Sequence, residues 1–254
     1  MKKWWVLFFV LSFSSANAEN PSFPGSMYPG FWGYMGSTLE KGSPSEESSP
    51  ARRTDSLWLS VFWNKMNAID DYNQYGLSSE WGSSNYRSAF LLSLLNMDSI
   101  YKAVSLSGEL AFQRGLFNIG IGHLWRTAWV PGIDSWSTHL TKIGIHLKLL
   151  GGFSLGGLYL INFEETNQWW CGLHWSSDSG TLFFFELGQG IFNVGHSIDF
   201  GMFHIQSAFS YPGPQISVGL VLFIQKILFG IGFYRNSNQF SSESLHLNWN
   251  LKRK

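Results

Sequence analysis

Seven histidines are the side chains best able to do acid–base or metal chemistry: His123, His139, His146, His174, His196, His204 and His246. None stands in a His-Glu-x-x-His arrangement, so the spacing of a zinc protease is missing. Lys142, His146 and Lys148 are separated by even numbers of residues, and so are His246 and Asn248. Side chains at even separations share one face of a strand. Lys142, His146, Lys148, Glu109, His246 and Asn248 are therefore candidates to line a common polar surface, with Lys102 beside them. Their simplest role is hydrogen bonding within a polar interior; the sharper one is a passage for polar solutes. Asp70, Asp71 and Asn73 lack the spacing and closing glutamate of a calcium loop and read as a solvated loop. Glu164, Glu165 and Arg126 fall at segment ends and read as loop and headgroup-level charges. The glycines Gly120, Gly122, Gly151, Gly152, Gly156 and Gly157 have no strand–helix–strand unit around them, so they make no dinucleotide site. Within strands they relieve crowding or allow bends. The single cysteine, Cys171, excludes an internal disulfide. No cofactor is expected.

The elements that would hold these residues are short alternating strands. Near the C-terminus, Leu245, Leu247, Trp249 and Leu251 oppose Ser244, His246, Asn248 and Asn250. Ile143, Ile145 and Leu147 oppose Lys142, Gly144, His146 and Lys148. Val104, Leu106, Leu110 and Phe112 oppose Ser105, Ser107 and Glu109. Thirteen such segments are predicted: 56–64, 86–95, 101–113, 115–126, 138–149, 153–163, 168–176, 181–188, 194–200, 203–210, 215–224, 227–235 and 243–251. Turn residues separate them, including Gln113-Arg114-Gly115, Gly151-Gly152 and Tyr211-Pro212-Gly213-Pro214. Many segments are about ten residues long, the length of a membrane-crossing strand. No apolar run beyond the N-terminus approaches a spanning helix; Val218 to Phe233 is cut by Gln225-Lys226.

Composition decides what such a sheet faces. Only 13% of residues are charged while 17% are aromatic, with 13 Trp and 22 Phe. A soluble domain carries about 25% charge. Trp63, Trp125, Trp169, Trp175, Tyr211, Tyr234 and Trp249 fall near segment ends, as the aromatic girdles of a membrane barrel do. A soluble sandwich also alternates, but it needs a charged exterior that this chain cannot supply. The expectation is an all-β, closed antiparallel transmembrane β-barrel of about 12–14 strands spanning residues 56–254. The alternatives are a secreted soluble β-rich adhesin or structural protein and, less favoured, a barrel-type lipid hydrolase using a serine and a histidine brought together in space.

The N-terminus points to export. Lys2 and Lys3 precede the apolar stretch Trp4 to Phe13, and Ala16-Asn17-Ala18 follows, which reads as a signal peptide over residues 1–18. Removing Lys2 and Lys3 leaves 15 basic against 17 acidic groups, so nucleic acid is not an expected partner. Residues 19–55, rich in Pro, Ser and Glu, read as a polar extension or plug.

Ser49-Pro50-Ala51 ahead of the first strand resembles the Asn-Pro-Ala turn of many PorV/FadL-like bacterial outer-membrane barrels, with Ser in place of Asn. The stretch Gly151-Gly152-Phe153-Ser154-Leu155-Gly156 and the repeats Ile119-Gly120-Ile121-Gly122 and Phe229-Gly230-Ile231-Gly232-Phe233 are similar to that group's strands. The resemblance covers roughly residues 49–251 and rests on pattern. It implies an outer-membrane location, about 14 strands and an inserted N-terminal segment, with outer-membrane lipid and the barrel-assembly machinery as partners. It further implies a channel or a transport or secretion accessory, its cargo and its transport or secretion partner unknown. It assigns no functional residue.

Overall fold

A computed structural model describes residues 49–51, 57–66, 72–97, 101–132, 134–163, 167–177, 181–188, 190–211, 215–224, 227–236 and 241–251. The predicted signal peptide and most of the predicted extension lie outside the described residues.

Fourteen strands follow in order: β1 (Leu57–Met66), β2 (Tyr72–Gly82), β3 (Tyr86–Met97), β4 (Tyr101–Arg114), β5 (Phe117–Trp129), β6 (Trp136–Lys148) and β7 (Phe153–Asn162) come first. Then come β8 (Gln168–Ser176), β9 (Leu182–Gly188), β10 (Ile191–Asp199), β11 (Phe203–Tyr211), β12 (Gln215–Ile224), β13 (Ile227–Asn236) and β14 (Ser241–Asn250). Each pairs antiparallel with its chain neighbours, and β1 pairs with β14 from Trp58↔Asn250 to Met66↔Ser242, closing a barrel. One closed sheet excludes the two-sheet sandwich.

The strand missing from the sequence reading is β2. Its apolar face, Tyr75, Leu77 and Trp81, is interrupted by Ser79, and acidic residues precede it, so its alternation is weak. Asn73, read as part of a solvated loop, belongs to this strand and accepts a hydrogen bond from Trp63 Nε1 at 3.1 Å. β10 also starts three residues before its predicted segment.

Turns are tight where the backbone demands glycine. Gly115 (φ 59°) carries the two-residue β4–β5 turn, as a positive φ there excludes most side chains. Gly152 (φ 80°) lets the β6–β7 turn pass Ser176, whose carbonyl oxygen a Cβ would strike at 2.1 Å. Ile224 pairs with Ile227, so two residues join β12 to β13 where the sequence predicted a break.

Burial is inverted relative to a soluble protein. On β4, Leu110 is 63% exposed and neighbouring Glu109 is 3% exposed. Val61, Leu77, Ile121, Phe185, Ile231 and Leu247 are all exposed, each on the outward face of its strand. Inward positions hold Ser60, Asn64, Gln74, Ser105, Asn118, Asn193 and Ser217, all buried. Water would drive so much outward apolar surface to associate; lipid accommodates it. A ten-residue strand tilted in a barrel spans about 25 Å, the height of the apolar band of an outer-membrane barrel. Aromatic rings mark the end of the barrel that carries the β4–β5 and β6–β7 turns: Tyr86 packs on Phe112, and Trp175 packs on both Phe153 and Phe183. Among the described residues no helix is long and apolar enough to cross a membrane; the strands do the crossing.

Candidate functional site

Register places the inward charges in one row. Glu80 on β2 stands opposite Ala89 on β3, Ala89 opposite Glu109 on β4, Glu109 opposite Gly122 on β5, and Gly122 opposite Lys142 on β6. Arg87 sits two residues from Ala89 on the same face. Its Nε donates to Glu80 at 2.5 Å and its Nη1 donates to Glu109 at 3.0 Å. Lys142 Nζ donates to the other oxygen of Glu109. Two carboxylates and two cations thus balance, and all four side chains are buried. Desolvating charges is costly, so such a group persists only when every member is paired. Gly122 makes the pairing possible. A Cβ there would lie 3.1 Å from both Glu109 Cγ and Lys142 Cε, so any side chain crowds the bridge across β5.

A segment of the chain lies inside the barrel against this network. Ser49 and Ala51 are buried, and Pro50 O accepts a hydrogen bond from Arg87 Nη1 at 3.1 Å. The wall behind it is bare: Ala111 faces Gly120, and Gly120 faces Gly144. A Cβ on Gly120 would come within 2.5 Å of the Pro50 carbonyl group, and one on Gly144 within 2.4 Å of Ser49 Oγ. Ala51 N donates to Ser49 Oγ at 3.3 Å, closing a local turn. These glycines form a cradle that the backbone of Ser49–Ala51 fills.

The remaining lumen is also occupied. One level along, Gln113, Asn118 and His146 follow one another across β4, β5 and β6, and Glu186 and Asn193 continue the row on β9 and β10. His146 stacks on His174 at 5.8 Å between ring centroids, reaching across β7, where Gly156 stands opposite His146. Leu158, Leu160 and Trp170 form an inward apolar cluster with Leu140 and Ile191 packed on it. A wide water-filled pore would leave such residues accessible; these are buried.

Of the residues singled out from sequence, Glu109 and Lys142 meet in the ion network. His146 is inside, four residues along β6 from Lys142. Lys148 ends β6 and is exposed at the rim. Lys102 falls on the opposite face of β4 from Glu109 and is exposed, so it does not line the lumen. The backbones of His246 and Asn248 pair with Phe62 and Ser60, and their side chains lie outside the described residues. Arg126, expected at headgroup level, sits within β5 and donates from Nε to Ser105 Oγ at 3.0 Å.

Sequence reasoning missed Glu80 and Arg87. Their signal was available: they flank the turn 83–85, so a hairpin reading of 72–97 would have set them on one face. It also missed that Gly152-Phe153-Ser154-Leu155-Gly156 spells a nucleophile elbow. That motif needs a strand–turn–helix context with an accessible serine. Here Ser154 is the second residue of β7, faces inward and is buried. A serine–histidine contact does occur on the outward face: Ser207 Oγ and His196 Nδ1 are 3.1 Å apart across β10 and β11, with Phe183 stacked on the imidazole.

No family model and no curated protein matches the sequence. Among solved structures the chain is similar to an engineered Rh. blastica porin, with TM-score 0.49 and 6% identity over 77% of this chain and 99% of that one. It is also similar to KdgM porin, with TM-score 0.47 and 6% identity over 76% of this chain and 98% of that one. At this identity and overlap neither protein's activity transfers to this chain.

Proposed function

We propose that this chain is a bacterial outer-membrane barrel whose lumen is closed by its own N-terminal segment and which serves as a gated channel or as an accessory to transport or secretion. The observation that carries the reading is the seating of Ser49–Ala51 in the Gly120/Gly144 cradle, tied to the wall by Arg87. A polar lumen wall suits the passage of polar solutes. Its burial favours a closed or gated barrel over a permanently open pore. The inserted segment and the fourteen strands support the PorV/FadL-like resemblance. Outer-membrane lipid and the barrel-assembly machinery are the partners this setting requires, and the cargo is left open.

Conductance of the purified barrel in planar bilayers tests the reading. Wild-type protein is expected to conduct little. Gly144→Val, whose side chain takes the space of Ser49 and Pro50, is expected to conduct several-fold more. Equal currents from the two proteins, with the variant folded, would sink the plug. A second reading, a lipid hydrolase, draws only on the outward Ser207–His196 contact. Release of fatty acid from phospholipid micelles, abolished by Ser207→Ala, would establish it.

A further inference from the structure

The β5–β6 hairpin projects beyond its neighbour. Leu140 is the first residue of β6 paired with β7, opposite Asn162, so Trp136 to His139 precede the pairing with that strand. The outward face changes character at this level. Ile121, Ile143 and Ile145 lie below; His123, Thr127, Ser137, His139 and Thr141 lie above, with Trp125 and Trp129 among them. Polar groups that hydrogen-bond one another mark the lipid–water boundary rather than the hydrocarbon. Thr127 Oγ1 and Ser137 Oγ are 2.8 Å apart, and His123 bonds both Thr141 and His139.

The two imidazoles carry a more specific geometry. His123 Nε2 and His139 Nδ1 are 3.3 Å apart, and both rings are exposed. Two nitrogens each bonded at ~2.0–2.1 Å to one tetrahedral ion stand about 3.3 Å apart. His123 Nδ1 lies 3.2 Å from Thr141 Oγ1. When that ring nitrogen donates to the hydroxyl, the lone pair resides on Nε2, the atom turned toward His139. In that tautomer the hydroxyl holds His123 ready to ligate through Nε2. Gly108 stands opposite His123 on β4, and a Cβ there would meet nothing within 4 Å, so that flank of His123 is open.

We propose that His123 and His139 form a two-imidazole site for a borderline divalent transition ion, Cu2+, Zn2+ or Ni2+, at the rim of the barrel, with Thr141 as a positioning residue. Imidazole nitrogen suits these ions, and water completes the coordination. Binding requires His139 to tautomerise, its hydrogen passing from Nδ1 to Nε2, so that lone pairs of both rings face the ion and the neutral pair loses no net proton.

The test is a Cu2+ titration of the untagged, detergent-folded chain at mildly alkaline pH, read by the visible d–d band and by electron paramagnetic resonance. Heat-modifiable gel mobility confirms that each variant is folded. Wild type is expected to bind one ion with the hyperfine pattern of two nitrogens. His123→Ala and His139→Ala should each weaken binding at least tenfold and lose one nitrogen from the pattern. Thr141→Val, which keeps the shape and removes the hydroxyl, should weaken it about tenfold, and Thr141→Ser should restore it. A two-nitrogen signal of unchanged affinity in the double variant His123→Ala/His139→Ala would place the ion on other histidines and overturn the proposal. Unchanged affinity in Thr141→Val would remove the positioning role.

Discussion

The two sides of the lumen solve the same packing problem differently. From β2 to β6 the inward face carries Glu80, Arg87, Glu109 and Lys142, with Gly120, Gly122 and Gly144 between them. From β7 to β12 it carries mostly neutral groups, Leu158, Leu160, Trp170, Asn193, Gln206 and Ser217, with the buried carboxylate of Glu186 among them. The first wall is hollow and charged, and it receives Ser49–Ala51. The second wall fills its share of the lumen with its own side chains. The cluster of paired charges thus marks where something separate from the wall is held. Neutral amides and aliphatics mark where the wall packs on itself.

The sharpest way to break this contrast is to remove the cation that touches both carboxylates and the inserted segment. Arg87→Met leaves Glu80 buried without the guanidinium it accepts from and takes one cation away from Glu109. It should cost about 3–5 kcal/mol, the usual consequence of orphaning a buried charge. The urea midpoint of the detergent-folded barrel would show it, and a loss below about 1 kcal/mol would mean the network is solvated. On the neutral side, Leu158→Ala should cost about 2–3 kcal/mol through the cavity it opens beside Leu160 and Trp170. That loss should leave protease cleavage near residue 50 unchanged.

Gly120→Val sharpens the contrast from the other direction. Its side chain would occupy the place of the Pro50 carbonyl, so the segment must leave or the wall must bend. We expect about 1–3 kcal/mol of destabilisation from overpacking, together with rapid proteolysis around residue 50. Cleavage no faster than that of wild type would show that the cradle does not hold the segment. The smallest effect is expected from Asn193→Ala. Neither polar atom of the Asn193 amide has a partner among the described residues. Removing a buried polar group that gains nothing from the protein costs little. A midpoint within about 1 kcal/mol of wild type is expected, and a larger fall would reveal a structural role for that amide.

Much of this was legible in advance at the level of single strands. The alternation of Ile143, Ile145 and Leu147 with Lys142, Gly144 and His146 predicted which side of β6 faces in. The same rule, applied to β4, separates Glu109 from Lys102, which had been grouped with it. Tyr72–Gly82 escaped because Ser79 breaks its apolar face and β-branched residues are absent. Glu80 therefore went unseen, and with it the partner of Arg87. Nothing local marks Gly120 and Gly144 as a cradle; they look like any strand glycine until the chain at Ser49–Ala51 is laid against them.

The alternation of oily and polar residues determined by itself that each of these strands has one apolar and one polar face, and the scarcity of charge favoured turning the apolar face outward to lipid. A strand's side-chain period is two and needs no knowledge of its neighbours. Which inward groups meet was decided only by tertiary structure. Cross-strand register is set by turn length and by closure of β1 on β14. A slip of one residue in any hairpin would send Glu109 or Lys142 to the opposite face. The ion network, the seat of the inserted segment and the His123–His139 contact all depend on that register.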